Sequence, residues 1–160
     1  MTPSFPGVRF KWSYRVSEHP VKRVLMITRI LVADDHAAGL ASLRLMITSR
    51  DDWEIAAQAS DGAEAVEKAM KFSPDVAVLD IQMPGLNGIQ AAKQILKGRP
   101  GTKVLAVSLH QQGGLLEELK KVGVLGFVPK DRMASDLIPA LDAVLQGGTW
   151  FKTAERENWV

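Results

Sequence analysis

The chain of 160 residues contains no cysteine. Disulfides and thiolate metal sites are therefore excluded, and any metal must be held by oxygen or imidazole. No apolar stretch approaches the roughly 20 residues that span a bilayer. The N-terminus is basic but lacks the apolar core of a secretory signal. No membrane role is expected, and the cytoplasm is the expected compartment. Neither G-x-G-x-x-G nor G-x-x-x-x-G-K-[ST] follows the first apolar run, which argues against a nucleotide-binding domain. Internal repeats and low-complexity tracts are also absent.

What is present suits one soluble globular domain, with 46% hydrophobic and 24% charged residues. The length is enough for one real core and too short for two ordinary ones. The net charge of +2 hides an asymmetry. Residues 1–25 hold Arg9, Lys11, Arg15, Lys22 and Arg23 against Glu18, a balance of +4, so the remainder carries −2. The basic character belongs to the extension, and it is poor evidence for nucleic-acid binding by the body of the protein. Within the extension Val8, Phe10, Trp12, Tyr14 and Val16 alternate with polar residues. That period of two fits an added edge strand or a basic-aromatic nucleic-acid contact. The preferred reading is plainer: a tail, or a start assigned too early, with Met26 as the natural beginning.

From Arg29 onward strand-like and helix-like patterns alternate. Short apolar runs predict strands over 30–33, 53–59, 76–79, 104–107 and 125–128. Helices are expected between and after them, including one over 63–70 capped by Asp61 and one over 87–96 capped by Asn87. Leu40, Leu43, Leu45, Met46 and Ile47 supply the apolar spacing of the first helix. The last helix is expected over 135–145, with Ser135 or Asp136 at its start, Pro139 near its first turn and Gly147-Gly148 past its end. Five β–α units imply an α/β fold: a doubly wound five-stranded parallel sheet with helices on both faces.

Right-handed crossovers put every strand's carboxyl end on one edge, where open α/β sheets form their crevice. Asp80 ends the run Val76-Ala77-Val78-Leu79, just before Met83-Pro84-Gly85. The first strand ends in Asp34-Asp35, the fourth in Ser108, and the fifth runs into Lys130. Three acids, a hydroxyl and an ammonium on one edge make a pocket for a metal and a phosphoryl group. An acidic pair alone is explained by helix capping; joined by Asp80 it points to a metal site. Like-charge repulsion is expected to raise one carboxylate pKa there.

The stretch 26–151 resembles the receiver domain of two-component response regulators. The resemblance rests on ILVADDH, VAVLDIQMPGLNG, VLAVSLH and GFVPKD, four pieces in order, each at a strand end. GLNGIQAAKQI and VLQGGTWF look most like the NarL/FixJ subfamily, which usually carries a C-terminal LuxR-type helix-turn-helix. The resemblance implies the flavodoxin-like receiver fold and a phosphoacceptor switch, not an enzyme, with slow self-dephosphorylation left open. It implies that Asp80 accepts a phosphoryl group from a sensor histidine kinase. It implies Mg2+ or Mn2+ held by Asp35, Asp80 and the main-chain carbonyl of Gln82, with Asp34 acting through water. Lys130 is implied to pair with phosphoryl oxygens, and Ser108 to donate a hydrogen bond to them. The peptide before Pro129 is often cis in the family. Phe127 takes the place of the aromatic switch and brings no hydroxyl. Gln82, Leu109 and His110 occupy tuning positions; Leu109 departs from the small residue more usual there and overhangs the pocket. Histidine after the acidic pair, here His36, is common in the subfamily and is expected only to start the first helix.

Homodimerisation on activation is a further implication. Residues 152–160 are expected to be a tail or truncated linker, too short for a helix-turn-helix. DNA contact is therefore expected only through an output domain absent from this chain. Two alternatives remain: a pseudo-receiver interaction module that takes no phosphate, and a magnesium-dependent phosphohydrolase. The hydrolase needs a second acid two residues past the nucleophile, where this chain has Gln82.

Overall fold

The computed structural model describes residues 27–152. The alternating segment 8–17, the rest of the basic extension and residues 153–160 lie outside the described residues. Twelve elements alternate in order: β1 (Thr28–Ala33), α1 (Ala37–Ile47), β2 (Trp53–Ala59), α2 (Gly62–Phe72), β3 (Val76–Asp80), α3 (Gly88–Gly98), β4 (Lys103–Ser108), α4 (Leu115–Val122), β5 (Gly126–Pro129), a 3-10 turn (Lys130–Arg132), α5 (Met133–Leu145) and β6 (Trp150–Phe151). The strands form one parallel sheet in the order β2-β1-β3-β4-β5-β6.

Period-two alternation explains why the apolar runs are continuous. Leu31, Ala33, Ala77, Leu79, Val104 and Ala106 face α2, α3 and α4, where Ala65, Ala69, Ala92, Ile95 and Leu119 close the layer. Ile30, Val32, Val76, Val78, Leu105 and Val107 face α1 and α5, against Leu43, Ile47, Leu137, Leu141 and Val144. Both faces of each central strand are therefore buried, as a parallel sheet requires.

Local signals act as expected at two helix starts. Asp61 caps α2 by accepting the Glu64 N–H at 2.7 Å. Asn87 caps α3 in a reciprocal pair with Gln90, the capping-box arrangement.

Four expectations need correction. The sheet has six strands, not five. Trp150–Phe151 returns after α5 to pair with β5, and Trp150 N–H donates to the Leu125 carbonyl at 2.9 Å. A two-residue strand is too short to show a period. Its fit depends on Gly126, where an added Cβ would meet the Leu105 side chain at 2.5 Å and the Trp150 carbonyl oxygen at 3.2 Å. Second, α5 begins at Met133, because the 3-10 turn carries the backbone straight into helix. Pro139 thus sits in the second turn, not the first, and leaves the Ser135 carbonyl without its usual i+4 donor. Third, Leu45 is 76% exposed and contributes nothing to the core beneath α1. Fourth, the Val128–Pro129 peptide is trans, like every described peptide bond.

Candidate functional site

Sheet register builds the site. β1 and β3 pair with Ala33 opposite Leu79, so one further residue sets Asp34 beside Asp80. β3 and β4 pair with Asp80 opposite Val107, one residue before Ser108. β4 and β5 pair with Ser108 opposite Pro129, one residue before Lys130. The strand order reverses between β1 and β3, so the two acids stand at the topological switch point.

Asp34 and Asp80 are only 1% and 2% exposed. Two buried carboxylates side by side need a counter-charge. Lys130 supplies it, with Nζ 2.7 Å from Asp34 Oδ2 and 3.1 Å from Asp80 Oδ2. The second oxygen of each acid takes a backbone donor: Asp34 Oδ1 accepts the His36 N–H at 2.8 Å, and Asp80 Oδ1 accepts the Gln82 N–H at 3.2 Å. Burial raises the Asp80 pKa above the ordinary aspartate range, against the lowering effects of Lys130 and the Gln82 N–H. The Asp34 charge adds the smallest upward push. The expected like-charge repulsion is thus present but minor, and desolvation is the main cause. Burial also works against the Lys130 charge, but Asp34 and Asp80 outweigh it and hold that pKa above the ordinary lysine value.

Asp34, Asp35, His36 and Asp80 each present a donor atom, all within 4.8 Å of one another. Asp35 Oδ1 is buried and has no hydrogen-bond partner. The three carboxylates, one with an orphaned oxygen, fit a hard divalent cation such as Mg2+. The arrangement can hold a divalent cation and present a carboxylate to an anionic group that Lys130 also reaches.

The remaining expected residues surround this centre. Ser108 is buried; its Oγ accepts the His110 N–H at 3.1 Å, leaving its own proton to donate. Gln82, Ser108 and His110 line one cleft of about 570 Å³ beside α4. Leu109 turns the other way. It is 66% exposed and lines a cleft of about 310 Å³ with Asp34, His36 and Lys130. Phe127 lies one strand away, fully buried in the layer under α2, α3 and α4.

Two contributors escaped the sequence reading. His36 does start α1, as its N-cap without a side-chain cap bond, yet its Nδ1 lies 3.0 Å from Asp35 Oδ1. Gly39 is the other: a Cβ there would collide with Asp34 Oδ2, so the buried carboxylate needs glycine on the facing helix. An isolated glycine inside a helical pattern was the available signal, since it costs about 1 kcal/mol relative to Ala unless packing requires it.

Residues 30–142 match the family model of the response regulator receiver domain. The chain is 31% identical over 132 residues to the transcriptional regulatory protein DegU of Brevibacillus brevis, covering 82% of this chain and 56% of that protein. It spans about half the length of the curated relatives it matches. Among solved structures it is similar to a LuxR-family two-component response regulator from an Aurantimonas species, with a TM-score of 0.74 at 28% identity, covering 78% of this chain and 89% of that one. The receiver domain of the putative response regulator NarL from Mycobacterium tuberculosis is similar at 29% identity, with a TM-score of 0.72 over 76% of this chain and 98% of that one.

Proposed function

The chain belongs to the response regulator receiver domain family, and on that premise we propose that Asp80 is its phosphoacceptor. A carboxylate oxygen of Asp80 attacks the phosphorus of a sensor kinase's phosphohistidine. The O–P bond forms, the P–N bond breaks, and the leaving imidazole takes a proton from solvent. The observation that carries this reading is the Lys130 ammonium bridging Asp34 and Asp80 at the sheet's carboxyl edge. An ammonium already centred between two acids is placed to accept phosphoryl oxygens as new partners.

Asp35, Asp80 and the Gln82 carbonyl are the residues that would hold Mg2+ or Mn2+, with Asp34 acting through water. The bound ion supplies charge neutralisation for the phosphoryl oxygens. Ser108 keeps a proton for a phosphoryl oxygen and moves its loop inward as it donates it. Phe127 then repacks, held by apolar contact alone because it has no hydroxyl to anchor it. Gln82 and His110 share a cleft beside the acceptor strand, and they set the lifetime of the acyl phosphate, including any slow self-hydrolysis. Leu109 screens the opposite approach.

The switch controls an output, transcription in a longer form of the protein, through a LuxR-type domain that would make the DNA contact. Dimerisation on activation and a cytoplasmic setting belong to the same reading. Residues 1–25 are an extension to a receiver over 26–151, and 152–160 a tail or linker. Gln82 stands where a hydrolase of the competing class needs an acid, and no feature of the pocket favours an interaction module without phosphate.

The test is intact mass after treatment with acetyl phosphate. Wild type gains one phosphoryl group with Mg2+ and none when the metal is chelated; Asp80→Asn gains none. A wild type that takes no phosphoryl group from either acetyl phosphate or a kinase would establish the module without phosphate, and continuous phosphate release from many substrates the hydrolase.

A further inference from the structure

The receiver reading leaves His36 without a role, and the pocket geometry suggests one. Resting on the assignment of Asp34, Asp35 and Asp80 to a metal pocket, we propose that His36 is a direct imidazole ligand of the same ion. The pocket is then a mixed nitrogen and oxygen site, with a gain in affinity for borderline ions such as Ni2+ that its carboxylates alone would not provide.

Three observations converge. The first is spacing: His36 Nδ1 lies 3.0 Å from Asp35 Oδ1 and 3.6 Å from Asp34 Oδ1. Two donors each about 2.1 Å from one ion, at right angles, lie about 3 Å apart. The second is orientation. His36 makes no cap bond to α1 and its side chain is 72% exposed, yet its Nδ1 faces the acids. The third is the orphaned partner. Asp35 Oδ1 is buried and hydrogen-bonded to nothing, despite the 3.0 Å approach of a ring nitrogen. Both atoms can serve as metal donors, and a cation between them would satisfy both.

Chemistry sets the consequence. Magnesium takes oxygen donors and keeps its waters, so it gains little from an imidazole. Affinity of nitrogen-containing sites rises through Mn2+ and Co2+ to Ni2+. His36 therefore sets metal choice more than metal occupancy.

Calorimetric titration of the full-length chain with NiCl2 and with MgCl2 tests this. The parent is a His19→Gln, His110→Gln chain, in which His36 is the only imidazole left, and it is compared with its own His36→Gln and Asp35→Asn variants. His36 is exposed and caps α1 through its backbone alone, so His36→Gln keeps the fold. The expected result is a Ni2+ affinity at least about tenfold weaker in His36→Gln than in the parent, with Mg2+ affinity changed less than about twofold. Asp35→Asn weakens both. Unchanged Ni2+ binding in His36→Gln, with Mg2+ binding that still depends on Asp35, overturns the ligand role and spares the pocket. Equal loss of both ions also overturns it, because His36 then only orients Asp35. Absence of any metal binding in the parent overturns the pocket reading itself and the ligand role with it.

Discussion

Lys130 shows how one side chain can hold a pocket together. It neutralises Asp34 and Asp80, both buried, and its own charge is stabilised by them. Replacing it with methionine strands two carboxylates in a dry site. Lys130→Met is expected to lower the unfolding free energy by on the order of 3 kcal/mol, the range seen when one partner of a buried pair is removed. Adding Asp80→Asn should recover part of that loss, since one stranded charge is then gone. Chemical denaturation of the four proteins in the cycle measures both effects, and strict additivity would show that the pair is not coupled. Sequence legibility at this scale depended on contrast. A charge ending an apolar run stands out, so Asp34, Asp80 and Lys130 were readable. Gly39 was not, because its necessity comes from Asp34, which lies five residues earlier and folds against it from another element. His36 was readable as the start of α1 but not as a neighbour of Asp35's buried oxygen.

Elements differ in what stabilises their ends. The entry to α2 is held by Asp61 and Glu64: Glu64 accepts the Ser60 N–H at 2.6 Å and pairs with Lys68 at 2.9 Å. The Ser60 N–H is the largest cause of a Glu64 pKa below the ordinary glutamate range, followed by Lys68. A lowered folded-state pKa contributes stability that is present above the unfolded-state pKa and lost as pH falls through the folded one. Wild type should therefore exceed Glu64→Gln in thermal stability at neutral pH. The gap should close on acidification through and below the ordinary glutamate range; a gap independent of pH would refute the assignment. At the other end of the sheet β6 depends on Gly126. Gly126→Val places a branched side chain against Leu105 and the Trp150 carbonyl, and β6 should detach. The Trp150 amide would then lose exchange protection while amides of β1 and β3 keep theirs. The helices α2 and α3 were legible because pattern, caps and flanking turns agreed. β6 was not, since two residues carry no period, and the early start of α5 was hidden by the 3-10 turn that leads into it.

For the molecule as a whole, the sheet is a rigid plate whose one edge gathers chemistry from four strands. A cation bound at that edge binds the folded chain and not the unfolded one, so it should raise the melting temperature. At a hundredfold excess over Kd the gain is about 2.7 kcal/mol, several degrees for a domain of this size. Thermal unfolding with and without Mg2+ measures it, and Asp35→Asn should abolish the shift. The fold class followed from the sequence alone, because alternation of buried strands and amphipathic helices admits few arrangements. So did the identity of the charged groups on the active edge, since a charge closing an apolar run has no folding reason to be there. Tertiary structure alone decided how those groups meet. Register set Asp34 against Asp80, burial rather than repulsion raised the Asp80 pKa, and close approach required Gly39 and Gly126. Distances across strands and the exclusion of water are properties of packing, and no local pattern along the chain encodes them.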